Sequence, residues 1–333
     1  MAVSDEMQFA ILGPSGAGKT TMLACMSEEF EEELPGAIFP AEADTFNVLN
    51  NAYNALKRAA NDSSKREFEN GISGTEDMRK FLFHIKGKRA VMPVRFYDFP
   101  GGWMSPNSPN NEKIIDIAVN SAVIIVAINT PYLMEMDGQY AAQGCSVEGI
   151  ERIIYEALRR DIDKDRLILF VPIKCEKWME TRDEQNNLNR AVRKAFANTL
   201  SLASVPQLAG KLAMALLPIQ TVGNAKFKRF KISLLGNVVE REVYRKESLD
   251  TRFSPLNVEQ PIRYMMSFLL AQFAENRKKR SLWEKFFRTL FMNNGDLKEI
   301  AEYIRDGIKT DRDPEAGIEI FCGRELIGIP SNR

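Results

Sequence analysis

The 333-residue chain has few of the side chains that build metal centres or disulfide frameworks: it contains one histidine and four cysteines. The cysteines, at positions 25, 145, 175 and 322, are far apart and form no C-x-x-C pair. This spacing argues against a zinc site or a disulfide scaffold and is typical of a protein in a reducing compartment. The single histidine, His84, lies in the apolar stretch FLFHI, which favours a packed strand position over a catalytic one.

Long apolar runs and an excess of one charge are also missing. No stretch approaches the roughly 20 apolar residues of a membrane-spanning helix, and MAVSDEMQFAILG places acids where a secretory signal carries bases. Lysine plus arginine equal aspartate plus glutamate, at 45 each, so the whole chain has no long-range attraction for nucleic acid or anionic lipid. We therefore predict a cytoplasmic protein in which any contact with nucleic acid would have to come from a local basic patch.

The sequence does contain a glycine-rich turn between a strand and a helix. Residues 7–12, MQFAIL, read as a buried strand, and residues 19–31 carry an apolar face at helical spacing. The turn, GPSGAGKT, fits G-x-x-x-x-G-K-[ST]: its glycines let N–H groups face phosphate oxygens, its lysine reaches the β- and γ-phosphates and its threonine binds Mg²⁺. The predicted phosphate-binding residues are Gly13, Ser15, Gly16, Ala17, Gly18, Lys19, Thr20 and Thr21.

A second motif follows a strand-like run in AVMPVRFYDFPGGW, residues 90–103. Asp98 stands at the end of the run, where a carboxylate can hold Mg²⁺, and Gly101 can offer its N–H to a γ-phosphate. Asp98-Phe99-Pro100-Gly101 resembles the D-x-x-G motif of the translation-factor-like (TRAFAC) class of P-loop GTPases. A plain Asp-Pro-Gly turn is the alternative.

The resemblance implies a switch-one threonine ahead of a strand pair. Runs 81–85 and 91–97 fit a hairpin, and Thr75 precedes them. Thr75 is therefore the predicted ligand of Mg²⁺ and sensor of the γ-phosphate, with Thr45 as second choice and a helix N-cap as the alternative. Small GTPases carry a water-orienting glutamine directly after D-x-x-G, and here Gly102 takes its place. We expect slow hydrolysis, accelerated by a partner or by self-association.

The resemblance also implies a base-reading motif. Residues 121–131 and 166–178 read as buried strands, and the second contains Ile173-Lys174-Cys175-Glu176 where the class carries [NT]-K-x-D. In GTPases of that class, the stem of the motif's lysine lies along the base, and the motif's acid accepts hydrogen bonds from guanine. Lys174 and Glu176 retain the lysine and the acid, which favours GTP and GDP over ATP. Ile173 and the longer acid weaken that preference, and a solvated charge run is the alternative.

One further strand, 212–224, contains Thr221, which its order along the chain places in the loop that closes over the base. Residues 226–245 alternate polar and apolar and predict a β-hairpin, whose basic KFKRFK start fits a lysine-guarded edge strand or, alternatively, a nucleic-acid patch. The tail from about residue 311 contains two strand-like runs that we expect to form a terminal hairpin.

The order of the motifs over residues 7–224 is similar to that of divergent bacterial TRAFAC GTPases of the YcjX-like and double-GTPase conflict-system type. The resemblance implies an α/β fold, a P-loop NTPase three-layer sandwich with a mostly parallel central sheet. We place this domain at 1–250, with a switch-region insertion at about 31–75, and a C-terminal helical extension at 251–333 packed on or beside it.

Three functions remain open at this point. The first is a Mg²⁺-dependent GTPase switch in a bacterial multiprotein stress or defence system, which the resemblance implies. The second is an ATPase or ATP-dependent phosphotransferase, and the third is a scaffold that binds nucleotide with negligible hydrolysis. Protein partners are expected at the switch regions and the C-terminal helices. Residues 261–274 predict a buried helix, and 282–291 a basic amphipathic helix that packs on its own domain or, alternatively, contacts a partner or a membrane surface.

Overall fold

The computed structural model describes residues 7–33, 38–40, 42–69, 77–86, 91–233, 239–275 and 303–329. Its strands are β1 (Met7–Leu12), β2 (Ile38–Pro40), β3 (Glu67–Glu69), β4 (Arg79–Lys86), β5 (Val91–Asp98), β6 (Val123–Asn129), β7 (Arg166–Ile173), β8 (Leu212–Leu216), β9 (Ala225–Ile232), β10 (Val239–Lys246) and β11 (Glu319–Cys322). Its α-helices are α1 (Lys19–Glu33), α2 (Ala43–Asn61), α3 (Asn111–Asn120), α4 (Thr130–Met134), α5 (Ala141–Gly144), α6 (Val147–Arg160), α7 (Arg182–Ala195), α8 (Ala197–Ser201) and α9 (Gln260–Glu275).

The central sheet has the strand order β11-β8-β7-β6-β1-β5-β4-β2 within the described residues. Strands β8, β7, β6, β1 and β5 run parallel, whereas β4, β2 and β11 join by antiparallel pairing. Every residue of β6 and β7 is buried, as expected of parallel strands covered on both faces. The predicted α/β fold with a mostly parallel sheet is confirmed.

Two hydrophobic clusters lie on opposite faces of this sheet and make three layers. Alternate residues of β6 divide between them: Ile125 and Ala127 pack with α1, α2 and α9, whereas Ile124 and Val126 pack with α3, α6 and α7. The predicted buried helix at 261–274 is thus confirmed as α9, and it is buried against the sheet of its own chain. None of the helices in the described ranges combines the length and apolarity needed to cross a bilayer.

The expected terminal hairpin is wrong. Strand β11 pairs antiparallel with β8, with Ile320 opposite Ala215, and the next residues form a 3₁₀ turn, Glu325–Ile327. Ile327 is fully buried, and its carbonyl accepts a hydrogen bond from Ser267 of α9 at 2.6 Å. The first run therefore pairs with β8 as strand β11, whereas the second run packs against α9, so the two runs do not pair with each other. The domain boundary at residue 250 stays a prediction, and the amphipathic run 282–291 lies outside the described residues.

A second sheet has the order β3-β10-β9. The predicted hairpin is confirmed, because β9 and β10 pair antiparallel, and β9 lies at an edge. Strand β3, from the segment that follows α2, pairs with the other side of β10. Three of the four basic residues of β9 pair with acids of β3, Lys228 and Arg229 with Glu67 and Lys231 with Glu69, and the fourth, Lys226, pairs with Glu180 and Glu247. The KFKRFK charge is therefore largely neutralised on the protein itself.

Phe170 of β7 tests how strongly the sheet depends on this packing. It is fully buried, with its ring 5.1 Å from that of Phe196 and 5.9 Å from that of Phe321 in β11. We predict that Phe170→Ala lowers the free energy of unfolding by about 3–5 kcal/mol, measured by urea denaturation. Phe46→Ala, at a side chain 50% exposed on α2, should cost less than about 0.5 kcal/mol. Equal losses in the two variants would contradict the assignment of the core.

Candidate functional site

The predicted site residues gather where the parallel strands end. β1 lies between β5 and β6, with Ile11 beside both Asp98 and Ile125. β6 in turn places Asn129 beside Ile173, the last residue of β7. Loops that leave adjacent parallel strands at this edge form the crevice in which α/β proteins bind ligands.

The glycine-rich turn after β1 encloses the ammonium group of Lys19. Lys19 Nζ donates hydrogen bonds to the carbonyls of Gly13 and Pro14, each at 3.0 Å, and the residue is 5% exposed. Gly18 has φ = +104°, a conformation that side chains resist and that lets the chain turn into α1 at Lys19. The other predicted residues lie in the same turn or in the first turn of α1: Ser15, Gly16, Ala17, Thr20 and Thr21.

Asp98, at the end of β5, lies directly against this turn. Its Oδ2 accepts a hydrogen bond from Thr20 Oγ1 at 3.1 Å, and its Oδ1 lies 3.5 Å from Lys19 Nζ. Asp98 is fully buried, and its Oδ1 accepts no hydrogen bond from the described residues. Burial lowers the pKa of Lys19, and the neighbouring Asp98 carboxylate opposes that shift.

The Thr20 hydroxyl and the Asp98 carboxylate fit a magnesium ion. Mg²⁺ prefers hard oxygen ligands and is usually held by one or two protein groups together with water and phosphate oxygens. The Thr20 hydroxyl and the incompletely bonded Asp98 carboxylate lie side by side and match that donor set. The third predicted ligand, Thr75, lies outside the described residues. The reserve candidate Thr45 is buried in α2, and its hydroxyl accepts a hydrogen bond from the Leu82 N–H at 3.2 Å.

Gly101 brings the segment after Asp98 into contact with the glycine-rich turn. A Cβ at position 101 would lie 2.1 Å from Ser15 N, so only glycine fits this close approach. The 3₁₀ helix that begins there, Gly101–Met104, is held from behind, because Asn111 Nδ2 donates to the Met104 carbonyl at 3.3 Å. Gly101 therefore lies next to the loop that the motif assigns to phosphate.

Lys174, just after β7, contacts the same loop from the other side. Its Nζ donates to the Gly16 carbonyl at 2.7 Å and lies 2.6 Å from Oε2 of Glu242 in β10. Its backbone is left-handed, with φ = +62°, which is costly for a residue with a side chain. Ile173 is fully buried, and its Cγ2 lies 3.3 Å from where a Cβ on Gly18 would be.

Glu176 is buried beside the loop that follows β8. Its Oε1 accepts hydrogen bonds from the N–H groups of Val222 at 3.0 Å and Gly223 at 3.4 Å. Its Oε2 is buried and has no hydrogen-bond partner among the described residues. Burial raises the pKa of Glu176, and the loop amides oppose the shift. Thr221, predicted for this loop, is buried one residue before those amides. The contact thus joins the two segments that the sequence assigned to the base.

Sequence reasoning missed Glu242, Asn129 and Asn224. Asn129 Nδ2 donates to Glu242 Oε1 at 2.8 Å, and a polar residue at the end of the apolar run VIIVAIN was the signal available for it. Asn224 is 5% exposed, and both atoms of its side-chain amide lack a partner among the described residues. Glu242 gave no signal, because the alternation of β10 groups it with the exposed Glu240, whereas bulges in the pairing turn it inward.

A family model supplies the relationship. The model described as "Double-GTPase 2" matches residues 9–215. The chain belongs to the Double-GTPase 2 family. The predicted resemblance to double-GTPase proteins is confirmed, and the matched range contains the glycine-rich turn, Asp98, Lys174 and Glu176.

Other similarities of this Double-GTPase 2 chain are local or distant. An uncharacterized protein of Methanocaldococcus jannaschii is 58% identical over 36 residues, which is 11% of this chain and 34% of that protein, so the chain spans about a third of that relative's length. The signal recognition particle receptor SRb-GTP/SRX complex of Chaetomium thermophilum matches with a TM-score of 0.34 and 12% identity, covering 66% of this chain and 92% of that chain.

Two further solved structures are similarly distant. The Saccharomyces cerevisiae Ski7 GTPase-like domain bound to GTP gives a TM-score of 0.35 and 13% identity, covering 65% of this chain and 43% of that chain. Methanosarcina barkeri Roco2 RocCORdC bound to GDP gives 0.32 and 12%, covering 91% and 66%. The family membership rests on the family model.

The contact at Gly101 yields a stability prediction with a neighbouring control. Because an added methyl group would collide with the backbone of the glycine-rich turn, Gly101→Ala should lower the free energy of unfolding by about 1–3 kcal/mol in chemical denaturation. Gly102→Ala should leave it within about 0.5 kcal/mol, because nothing lies within 4 Å of a Cβ at that position. If the two alanine variants are equally stable, Gly101 does not approach the loop as described.

Proposed function

We propose that this chain is a Mg²⁺-dependent switch that binds GTP and GDP and hydrolyses GTP slowly. One observation carries the proposal. The Lys19-centred loop and the unpartnered Glu176 oxygen, which suit the two ends of a guanine nucleotide, lie at the same edge of the sheet. Membership of the Double-GTPase 2 family supports the same reading.

At the phosphate end, Lys19 would exchange its two carbonyl partners for β- and γ-phosphate oxygens. The N–H groups of the turn and the start of α1 would bind the remaining oxygens. Thr20 and Asp98 would hold the Mg²⁺ ion, which when bound neutralises the charge on the phosphates. Gly101, already in contact with the loop, would donate its N–H to the γ-phosphate. Thr75 is proposed as the switch-one ligand.

At the base end, Glu176 Oε2 would accept hydrogen bonds from guanine N1–H and N2–H₂. A buried carboxylate oxygen without a donor is costly, and guanine supplies the donors that are missing. Adenine has no pair of donors at these positions, so it would leave the oxygen unsatisfied. The stem of Lys174 would lie along the base, and the loop containing Thr221 would close over it.

The proposal of slow hydrolysis rests on Gly102, which stands where small GTPases carry the glutamine that orients the attacking water. Gly102 is exposed and has no side chain with which to orient water, so an accelerating group would come from a protein partner or a second copy. We place such partners at the switch regions and the C-terminal helices. A role in a bacterial multiprotein system follows only from the resemblance. Measuring phosphate release from GTP would distinguish this proposal from a nucleotide-dependent scaffold, which would bind GTP without hydrolysing it.

Calorimetric titration with GTP, GDP, ATP and ADP, with and without Mg²⁺, tests the assignment. GTP and GDP should bind at least about tenfold more tightly than the adenine nucleotides, because adenine leaves the Glu176 oxygen unpaired. GTP should also bind more weakly without Mg²⁺. Lys19→Ala should abolish binding while the fold is retained in circular dichroism, and Lys57→Ala, at an exposed lysine on α2, should bind as wild type does.

Each contrary result has a definite meaning. Tighter binding of ATP would favour the ATPase alternative. If Lys19→Ala binds nucleotide with unaltered affinity, the glycine-rich turn is a structural turn and does not bind phosphate. Absence of binding by all four nucleotides would overturn the proposed function.

The pH dependence of binding tests Glu176 separately. Burial raises the pKa of Glu176, so this acid takes up a proton at a higher pH than an exposed glutamate does, whereas guanine donors require the ionised form. GDP affinity should therefore fall as the pH decreases from about 7.5 to 5.5. Glu176→Gln should bind more weakly at pH 7.5 and show a flatter profile, since titration of the phosphates is common to both proteins. Parallel profiles would show that Glu176 does not titrate with binding.

A further inference from the structure

Glu242 is a buried carboxylate in an element that the phosphate and base motifs do not include. It lies on β10, in the small sheet, and is 3% exposed. Three donors from three parts of the chain converge on it. Lys174 Nζ and Tyr244 Oη lie 2.6 Å from its Oε2, and Asn129 Nδ2 lies 2.8 Å from its Oε1.

Two of these partners, Asn129 and Lys174, come from the end of β6 and from the residue after β7, and both strands belong to the central sheet. Burying a charged group is costly unless it is paired and hydrogen-bonded, so the fold commits all of these donors to one carboxylate. Within the described residues β10 forms no ladder with the central sheet, so its side chains make this connection. The contact therefore fixes the small sheet against the site.

Lys174 is the residue whose conformation depends most on this contact with Glu242. Its left-handed backbone is unfavourable, and its flexible four-carbon stem has many rotamers. The ammonium group is held between two oxygens, the Gly16 carbonyl at 2.7 Å and the Glu242 carboxylate at 2.6 Å. With both ends determined, the stem has few conformations left before a ligand arrives. Such preorganisation raises affinity by reducing the ordering cost of binding.

We propose that Glu242 is a positioning residue for the nucleotide base and acts through Lys174. This inference rests on the proposed function and adds the β9–β10 hairpin to the nucleotide site. Without the Glu242 carboxylate, the ammonium group retains only the Gly16 carbonyl, and the stem can leave the face on which the base would lie. GDP and GTP should be affected alike, because the contact is remote from the γ-phosphate end.

The test compares Glu242→Gln with Glu240→Gln, an exposed glutamate two residues away on the same strand. We expect Glu242→Gln to raise the Kd for both GDP and GTP about 10- to 100-fold, the loss typical of one charge-assisted hydrogen bond. Glu240→Gln should remain within about twofold of wild type. Circular dichroism and thermal melting would establish that both variants fold. A Kd for folded Glu242→Gln that matches Glu240→Gln would overturn the inference.

A double-mutant cycle distinguishes positioning from general support of the fold. In a Lys174→Ala background, Glu242→Gln should change the Kd less than about threefold, since no lysine remains to be held. The full loss in that background would show that Glu242 does not act through Lys174. If Glu242→Gln does not fold, Tyr244→Phe removes one hydrogen bond to the carboxylate and should raise the Kd about threefold. An unchanged Kd in Tyr244→Phe would then reject the inference.

These outcomes are separable from failure of the proposed function. If the wild-type protein binds none of the nucleotides, the function and the role of Glu242 fail together. If the wild-type protein binds guanine nucleotides and Glu242→Gln binds them equally well, the proposed function stands and only this inference fails.

Discussion

The contact between Lys19 and its own loop sets the geometry of the phosphate end of the candidate site. A buried ammonium group needs oxygen partners, and it finds two carbonyls in the turn and a carboxylate at the end of β5. These contacts set the start of α1 against the end of a neighbouring strand, and Gly101 follows three residues after that carboxylate. The protein thus holds the loop closed around a positive charge, which the proposed function assigns to the phosphates of a nucleotide.

The segment around the end of β7 departs from the usual [NT]-K-x-D pattern at two positions, Ile173 and Glu176. Ile173 replaces a polar residue, and its side chain is buried against Gly18, where an unpaired polar group would be costly. Glu176 accepts hydrogen bonds from the amides after Thr221 with one oxygen, and its other oxygen has no donor among the described residues. One carboxylate therefore both anchors a neighbouring loop and presents a buried acceptor.

Local patterns predicted much of this structure, because the α/β core is built from short-range signals. The run MQFAIL, the helix after the glycine-rich turn and the apolar strands β6 and β7 each carry a periodicity that tertiary packing did not override. The terminal hairpin failed because β11 pairs with β8, more than a hundred residues away. Glu242 could not be predicted, since a bulge changes which face a residue occupies without changing the letters of the sequence.

The small sheet gives the segment after α2 a firm attachment. Glu69 of β3 pairs with Val243, the residue next to Glu242, so β3 and the carboxylate that contacts Lys174 share one ladder. Side chains on a strand alternate between two faces, and a slip of one residue exchanges them. Deleting or adding a single residue within β10 would thus move the carboxylate to the other face of the strand, away from Lys174, while leaving the strand itself intact. The spacing of residues along this ladder therefore matters as well as their identity. Sequence changes in the segment between α2 and β4 have to preserve the pairing of β3 with β10.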